Sequence, residues 1–196
     1  MRELTIRHFT DADIGVRTAL LRESSFQANL TDFATLAEDD ALVVAQRRTI
    51  ADEQDSKRIF TVVGGKGQIV GFMWITSIDW RAQVCELSFA VLPDYRSGYG
   101  LSANTATLDY LRRELNFEVV INQVLDHNTM FQSGDKLANS STVVCPYDSY
   151  TVGAWRTACY WTQSREEFYA SVQRFAARRL ARRDRIRAAL AEEVPA

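Results

Sequence analysis

The chain is poor in the residues that build metal centres and covalent frameworks. Its 196 residues include three cysteines, Cys85, Cys145 and Cys159, and two histidines, His8 and His127. The cysteines are odd in number, widely spaced and never arranged as Cys-x-x-Cys. That argues against a disulfide scaffold and fits free thiols in a reducing compartment. Neither histidine has a cysteine near it in sequence, so no zinc motif is expected. Long apolar runs are missing too. The segment MRELTIRHFTDAD lacks the apolar run of a signal peptide, and no stretch approaches the ~20 apolar residues of a membrane span. The expectation is a soluble, cytoplasmic protein. Charge of one sign is also scarce, the formal net charge being −2. Its distribution is uneven: eight arginines fall between Arg165 and Arg187, leaving the rest of the chain correspondingly acidic.

What is present reads as one ordinary globular domain with an extension: 46% hydrophobic and 24% charged residues. Residues 3–9 alternate apolar and polar as a strand does. Asp11 or Asp13 can cap the helix that follows, through residue 30. Thr31 or Asp32 opens a second helical stretch. Three apolar runs then follow, RIFTVVG, QIVGFMWITSIDW and QVCELSFAVL, joined by short turns, the first at Gly64-Gly65-Lys66-Gly67. They predict an antiparallel meander. A turn-rich loop, PDYRSGYG, leads into a helix from Leu101. EVVINQVLD reads as a buried strand, Asn128 as the cap of a short helix, and STVVCPYDSYTV with WRTACYW as a closing strand pair. A basic helix runs from Ser164 to about Leu190. The order β-αα-βββ-α-β-α-ββ-α predicts a mixed α/β sheet with helices on both faces.

The chemistry concentrates in Glu86-Leu87-Ser88-Phe89-Ala90-Val91-Leu92-Pro93-Asp94-Tyr95-Arg96-Ser97-Gly98-Tyr99-Gly100, a strand, a glycine turn and a helix start. Unpaired N–H groups and the helix dipole favour an anion there, and Gly98 and Gly100 let phosphate oxygens approach the backbone. Arg96 adds a charged donor. Taken alone, the segment also fits a tight turn that merely uses glycine.

This segment resembles the central coenzyme motif of the GNAT superfamily of N-acetyltransferases, in which a strand reading E-x-x-x-x-V-x-P leads into Arg/Gln-x-x-Gly-x-Gly/Ala. It looks most like the branch that acetylates ribosomal-protein N-termini and small amines. Weaker similarity continues through Asn128–Leu137 and Tyr160–Phe168. The resemblance implies a GNAT-like domain over residues 1–168, with 169–196 as an Arg-rich helical extension. It implies acetyl-CoA as co-substrate, held by Arg96, Ser97, Gly98, Tyr99, Gly100 and Leu101, by main-chain groups of Val91 and Leu92, and by Asn128, for which a plain helix cap is the alternative. The coenzyme would lie where the strand at 86–92 splays from the strand at 118–125.

Two departures stand out. The step from Arg96 to the first glycine is one residue shorter than the family pattern, so Tyr95 or Arg96 can occupy the Arg/Gln position. Gly134 stands where many members carry a tyrosine that protonates the leaving thiolate. Ser133, adjacent, is the remaining hydroxyl, though a poor acid. Glu86 is the candidate base, since an amine near pKa ~10 must lose a proton before attack. Burial beside Phe89 and Trp74 would raise its pKa. Trp80, Tyr147, Tyr150 and Trp155 can line an aromatic acceptor pocket. The expected acceptor is a small-molecule or peptide amine. The basic helix suggests a second reading, RNA or an acyl carrier protein docked there, and the shortened loop and missing tyrosine suggest a third, a coenzyme-binding protein without turnover. Monomer and homodimer are both open.

Overall fold

Seven strands pair into one mixed sheet in the order β1-β2-β3-β4-β5-β7-β6. The computed structural model describes residues 3–27, 36–52, 56–128, 142–151 and 153–192. In chain order the elements are β1 (Leu4–His8), α1 (Ile14–Arg22), α2 (Ser24–Gln27), α3 (Asp39–Ala51), β2 (Lys57–Gly64), β3 (Ile69–Asp79), β4 (Val84–Val91), α4 (Arg96–Arg113), β5 (Val119–Leu125), β6 (Val143–Thr151), β7 (Ala154–Ser164) and α5 (Arg165–Glu192). Short 3-10 turns at Asp11–Asp13 and Pro93–Tyr95 lead into α1 and α4. The chain divides into two compact units, residues 1–163 and 164–196. The second is essentially α5, whose Arg178, Arg182, Arg183 and Arg185 are exposed. The expected mixed α/β fold is the one observed. The short helix expected after Asn128 lies outside the described residues, as does the start of the second N-terminal helix at Thr31 or Asp32.

β2 to β4 form the antiparallel meander that the short turns predict, and β1 adds to its edge antiparallel to β2. β4 and β5 run parallel because α4 crosses between them, and β6–β7 is an antiparallel hairpin. Strand periodicity sorts the side chains onto two faces. On one face Ile59, Phe72 and Ala90 pack with Phe9, Ile14 and Leu20, with Phe26, Val43 and Trp74 at the margin. This is the side of α1, α2 and α3. On the other, Val62, Val70 and Val91 meet Ala103 of α4, with Phe89, Tyr95 and Tyr99 alongside.

The first helical stretch is shorter than its pattern suggests. It breaks at Glu23, whose backbone turns extended (ψ 123°). Asp13 also differs from the expected helix cap. Its side chain makes no cap hydrogen bond to α1. Instead its buried carboxylate accepts from Arg7 Nη1 (2.6 Å) and Nη2 (2.8 Å), from Thr10 N–H (3.0 Å) and from Thr61 Oγ1 (2.9 Å). Burial pushes the Asp13 pKa up, but these donors outweigh it and hold it at about 2. One carboxylate thus ties β1, the α1 entry and β2 together.

Two expectations follow. The Asp13 pKa is depressed in the fold, so its contribution of about 2 kcal/mol is present above pH ~4 and lost as pH falls from there through about 2. Asp13→Asn should lower the urea midpoint at neutral pH and flatten the acid limb of the stability profile. The second concerns two glycines. A Cβ at Gly71 would stand 2.2 Å from the Ala90 carbonyl oxygen, whereas one at exposed Gly15 meets nothing within 4 Å. Gly71→Ala should destabilise by ~1–3 kcal/mol, and Gly15→Ala should stabilise by roughly 0.5–1 kcal/mol, both read by denaturant titration.

Candidate active site

The β4–β5 ladder is incomplete. Its register runs from Val84↔Val119 to Leu87↔Asn122 and stops, although β4 continues to Val91 and β5 to Leu125. Beyond that point one edge of β4 pairs with no strand among the described residues. The Leu92 N–H donates to Val70 O at 2.8 Å, and the Ala90 oxygen points at Gly71, so the even-numbered residues address β3. By strand alternation Phe89 and Val91 address the gap toward β5. This narrows the two main-chain candidates. Leu92 is engaged at both ends, its oxygen accepting from Tyr95 N–H at 2.9 Å. Val91 N–H is the donor that faces the gap.

The glycine turn lies at the C-terminal end of β4. Helix α4 begins nominally at Arg96, but Ser97 (ψ 82°) and Gly98 (φ 112°) leave helical geometry. The turn is one residue short, and these two residues absorb the difference. A φ of 112° suits only glycine. The regular helix therefore starts at Tyr99, and its first N–H groups belong to the residues from Tyr99 on. Gly100 has open space where a Cβ would stand, so nothing inside the protein requires glycine there, and an anion can approach that backbone closely. Leu101 is 54% exposed on the same turn. The Tyr99 ring packs edge-on against Tyr95, 5.2 Å between centroids.

Arg96 departs from expectation. Its guanidinium turns away from the glycines and donates to Val91 O (3.2 Å), to Ser25 Oγ (3.0 Å) and to the Glu23 carboxylate. The Arg96 hydrogen bond is the main reason the Glu23 carboxyl sits below its usual range. A charge-assisted pair outcompetes a solvent-facing pose. Arg96 is therefore a brace between the turn and α2, which leaves the backbone amides as the turn's candidate anion donors.

Glu86 lies on β4 just before the gap, half-buried, opposite Thr76 and Ile121. Its Oε2 accepts from Ser77 Oγ at 3.3 Å. Trp74 shares its face. Phe89 does not, because a residue three positions along a strand points through the sheet. A network that sequence reasoning missed faces Glu86. Gln123 Nε2 donates to Tyr160 Oη (2.6 Å) and Asp148 Oδ2 (3.0 Å), and Tyr160 Oη donates to Asp148 Oδ2 (2.8 Å). Burial, then Asp148, then Glu86 push the Tyr160 hydroxyl up to about 12, so it stays protonated at neutral pH. Ser133 lies outside the described residues. Asn128 follows β5, its N–H donating to Leu125 O at 2.9 Å.

The four aromatics do not form one pocket. Trp80 stacks on Phe117 (5.1 Å) at the N-terminal ends of β4 and β5. Tyr150 and Trp155 pair at the β6–β7 tip (5.5 Å), near the C-terminal end of β5, where Asp126 N–H meets Thr157 O. Cys85 is buried and its thiol is pushed up to about 12 by burial, which excludes it as a nucleophile.

The sequence pattern of the Acetyltransferase (GNAT) domain family matches residues 3–133. The chain belongs to the GNAT acetyltransferase family. Its fold is similar to that of spermidine N-acetyltransferase from Vibrio cholerae in a crystal structure with CoA and spermine: TM-score 0.69, 15% identity, covering 85% of this chain and 98% of that one. A chimaera of the Vibrio enzyme with hSSAT gives the same TM-score, identity and coverage. A Vibrio form carrying glutamate substitutions gives 0.69 at 14% identity, over 86% and 98%. Comparison with curated protein sequences gave no significant match. A GNAT protein transfers an acetyl group from acetyl-CoA to an amine, and the glycine turn and the strand gap fit such a coenzyme. Among the described residues no helix is long and apolar enough to cross a membrane, and no cluster of three potential metal ligands occurs.

The turn yields a test of coenzyme binding. Gly100→Glu adds bulk and negative charge where the amides converge, without an internal clash. Acetyl-CoA affinity by calorimetry should fall at least ~100-fold, about 2.7 kcal/mol, with the melting temperature little changed. An unaltered affinity in the folded variant removes the turn from the coenzyme site.

Proposed function

We propose that this GNAT enzyme acetylates the primary amine of a small molecule or peptide by direct attack, with Glu86 as the base. The observation that carries the reading is the position of Glu86. It stands at the last paired stretch of β4 and β5, on the face of α1, α2 and α3, while the glycine turn and α4 begin at the far end of the same strand. Bound acetyl-CoA supplies an activated acetyl thioester. The residues suited to hold it are Val91 through its N–H, Ser97 and Gly98 through the turn, and Tyr99, Gly100 and Leu101 through the first helical amides. Asn128, just beyond β5, stands at the other side of the gap.

The amine arrives mostly as an ammonium ion of pKa ~10 and cannot attack in that state. Glu86 accepts its proton, directly or through a water. The Asp148 carboxylate, tied to Gln123 and Tyr160, adds negative potential on the same side and favours the cation's approach. The amide C–N bond then forms as the thioester C–S bond breaks. Sulfur leaves as a thiolate, a moderately good leaving group, and the second proton, shed by the attacking nitrogen, passes to it directly or through water. Tyr160 is a weak acid at about 12, so it serves better to orient Asp148 than to give up a proton.

The similar structures support an amine acceptor, spermine being bound in one complex. The RNA and carrier-protein readings rest on the exposed arginines of α5 alone, and exposed arginines are common on solvated helices. The small-amine reading is therefore preferred.

Glu86→Gln should reduce kcat/KM for the amine by roughly 10²–10⁴ near neutral pH, with the loss shrinking as pH rises and free amine accumulates. Acetyl-CoA affinity should stay within about two-fold, well under ~1 kcal/mol. Near-wild-type turnover in Glu86→Gln would make Glu86 a structural residue.

A further inference from the structure

The N-terminal layer pairs its arginines with carboxylates almost throughout. Arg7 meets Asp13, Arg22 meets Asp39, Arg47 meets Asp11, Arg48 meets Asp52, and Arg96 meets Glu23. Arg17, on α1, is the exception and is more deeply buried than any of these five, at 5% exposure. Its guanidinium lies 5.2 Å from the centroid of the Trp74 ring, and Nη1 donates to Gln46 Oε1 at 3.0 Å. Its buried Nε–H has no hydrogen-bond partner among the described residues. Burial holds the Arg17 pKa down at about 10, and no carboxylate opposes that. Lys57, the first residue of β2, is half-buried, with a pKa lowered by burial and by the Arg17 charge. Among the described residues neither cation pairs with an acid.

The position of this charge matters. Trp74 is the cross-strand partner of Ser88, the first β4 residue beyond the paired stretch. Lys57 pairs with Thr76, and Thr76 with Glu86. The two cations and the base therefore stand on one sheet face, Lys57 and Glu86 two strand spacings apart, about 10 Å. The face is polarised. It is negative toward Glu86 and Asp148 and positive toward Arg17 and Lys57. A buried guanidinium with an unused N–H is costly to maintain unless an oxyanion completes it. A polyamine would bring further positive charge to the same place.

We propose that Arg17, assisted by Lys57, binds the carboxylate of the acceptor, so that the amine acetylated belongs to a molecule carrying both an amino group and a carboxylate. This rests on the acyltransferase reading above and specifies its substrate class. The ammonium end addresses Glu86 and the carboxylate end addresses Arg17, with Trp74 between them. Opposite charges at the two ends fix the direction in which the acceptor enters. Arg17 is then a specificity-determining residue that touches substrate away from the reacting nitrogen.

The experiment compares matched pairs, amino acids against their primary amides, with spermidine as a cationic reference. Initial rates of acetyl-CoA-dependent N-acetylation are measured for wild type, Arg17→Met, Arg17→Lys and Lys57→Met. Wild type should favour the acid over its amide by about ten-fold or more in kcat/KM, chiefly through KM. Arg17→Met should bring the ratio within about two-fold, Arg17→Lys should keep part of the preference, and acetyl-CoA affinity should be unchanged in all. Arg17→Met should also melt no lower than wild type, because an uncompensated buried charge has been removed. Should Arg17→Met fail to fold, Arg17→Lys and Lys57→Met carry the comparison, each with a reduced preference expected. A wild type that acetylates the amides or spermidine as well as the acids overturns the proposal. So does an Arg17→Met that folds, melts lower and keeps the wild-type ratio, since Arg17 is then a packing residue. If no pair is turned over, calorimetric titration of the same pairs into the CoA-saturated enzyme decides. Tighter binding of the acid supports the proposal and equal binding overturns it. Failure of wild type to bind acetyl-CoA at all would instead overturn the acyltransferase reading beneath it.

Discussion

A backbone N–H inside a sheet must find an acceptor, and in this fold the parting of β4 from β5 after Leu87 and Asn122 denies one to the end of β4. The arrangement of the site follows from that constraint. β4 stays fixed along its other edge by β3, where Gly71 admits the Ala90 carbonyl. The strand therefore cannot relax toward β5 without breaking that pairing. The open edge ends at a turn whose Gly98 holds a positive φ, and the next amides belong to a helix N-terminus. A strand edge and a helix start placed end to end offer donors to an extended, phosphate-bearing ligand, the former to its amide arm and the latter to its anionic end.

The two faces of the sheet divide the work. Helix α4 covers one and presents its N-terminus at the gap. Helices α1, α2 and α3 cover the other, where Glu86, Trp74, Gln123 and Arg17 stand. The Arg96–Glu23 pair joins the two sides, because Arg96 belongs to the glycine turn and Glu23 to the break between α1 and α2. Its partly exposed geometry makes it modest in stability. Its consequence is positional, since a shift of α2 is felt at the turn through one ion pair.

Much of this was legible in the chain. The order of strands and helices, the meander and the strand–turn–helix segment follow from periodicity and glycine placement, which are local signals. The helix break at Glu23 was not legible, and the arginine that pairs with Glu23 lies more than seventy positions away. The pairing of Arg96 was not legible for the same reason. Its type and place suggested a phosphate donor, and only the fold shows the acid that claims it. The Gln123–Tyr160–Asp148 network joins three strands and leaves no spacing pattern. Arg17 carries no signal of its own in the sequence, since arginine is expected at the surface. Its significance appears only with its burial over Trp74 and the lack of a carboxylate beside it.

The central claim, that the open edge of β4 receives the coenzyme, can be tested amide by amide with hydrogen–deuterium exchange read by NMR, with and without saturating CoA. The Leu92 N–H, already bonded to Val70 O, should exchange slowly in both states. The Val91 N–H should exchange faster than Leu92 in the free protein and become strongly protected with CoA, together with the first amides of α4 from Tyr99 to Leu101. Protection confined to other regions, with Val91 and the α4 start unchanged while CoA is bound, would contradict the account.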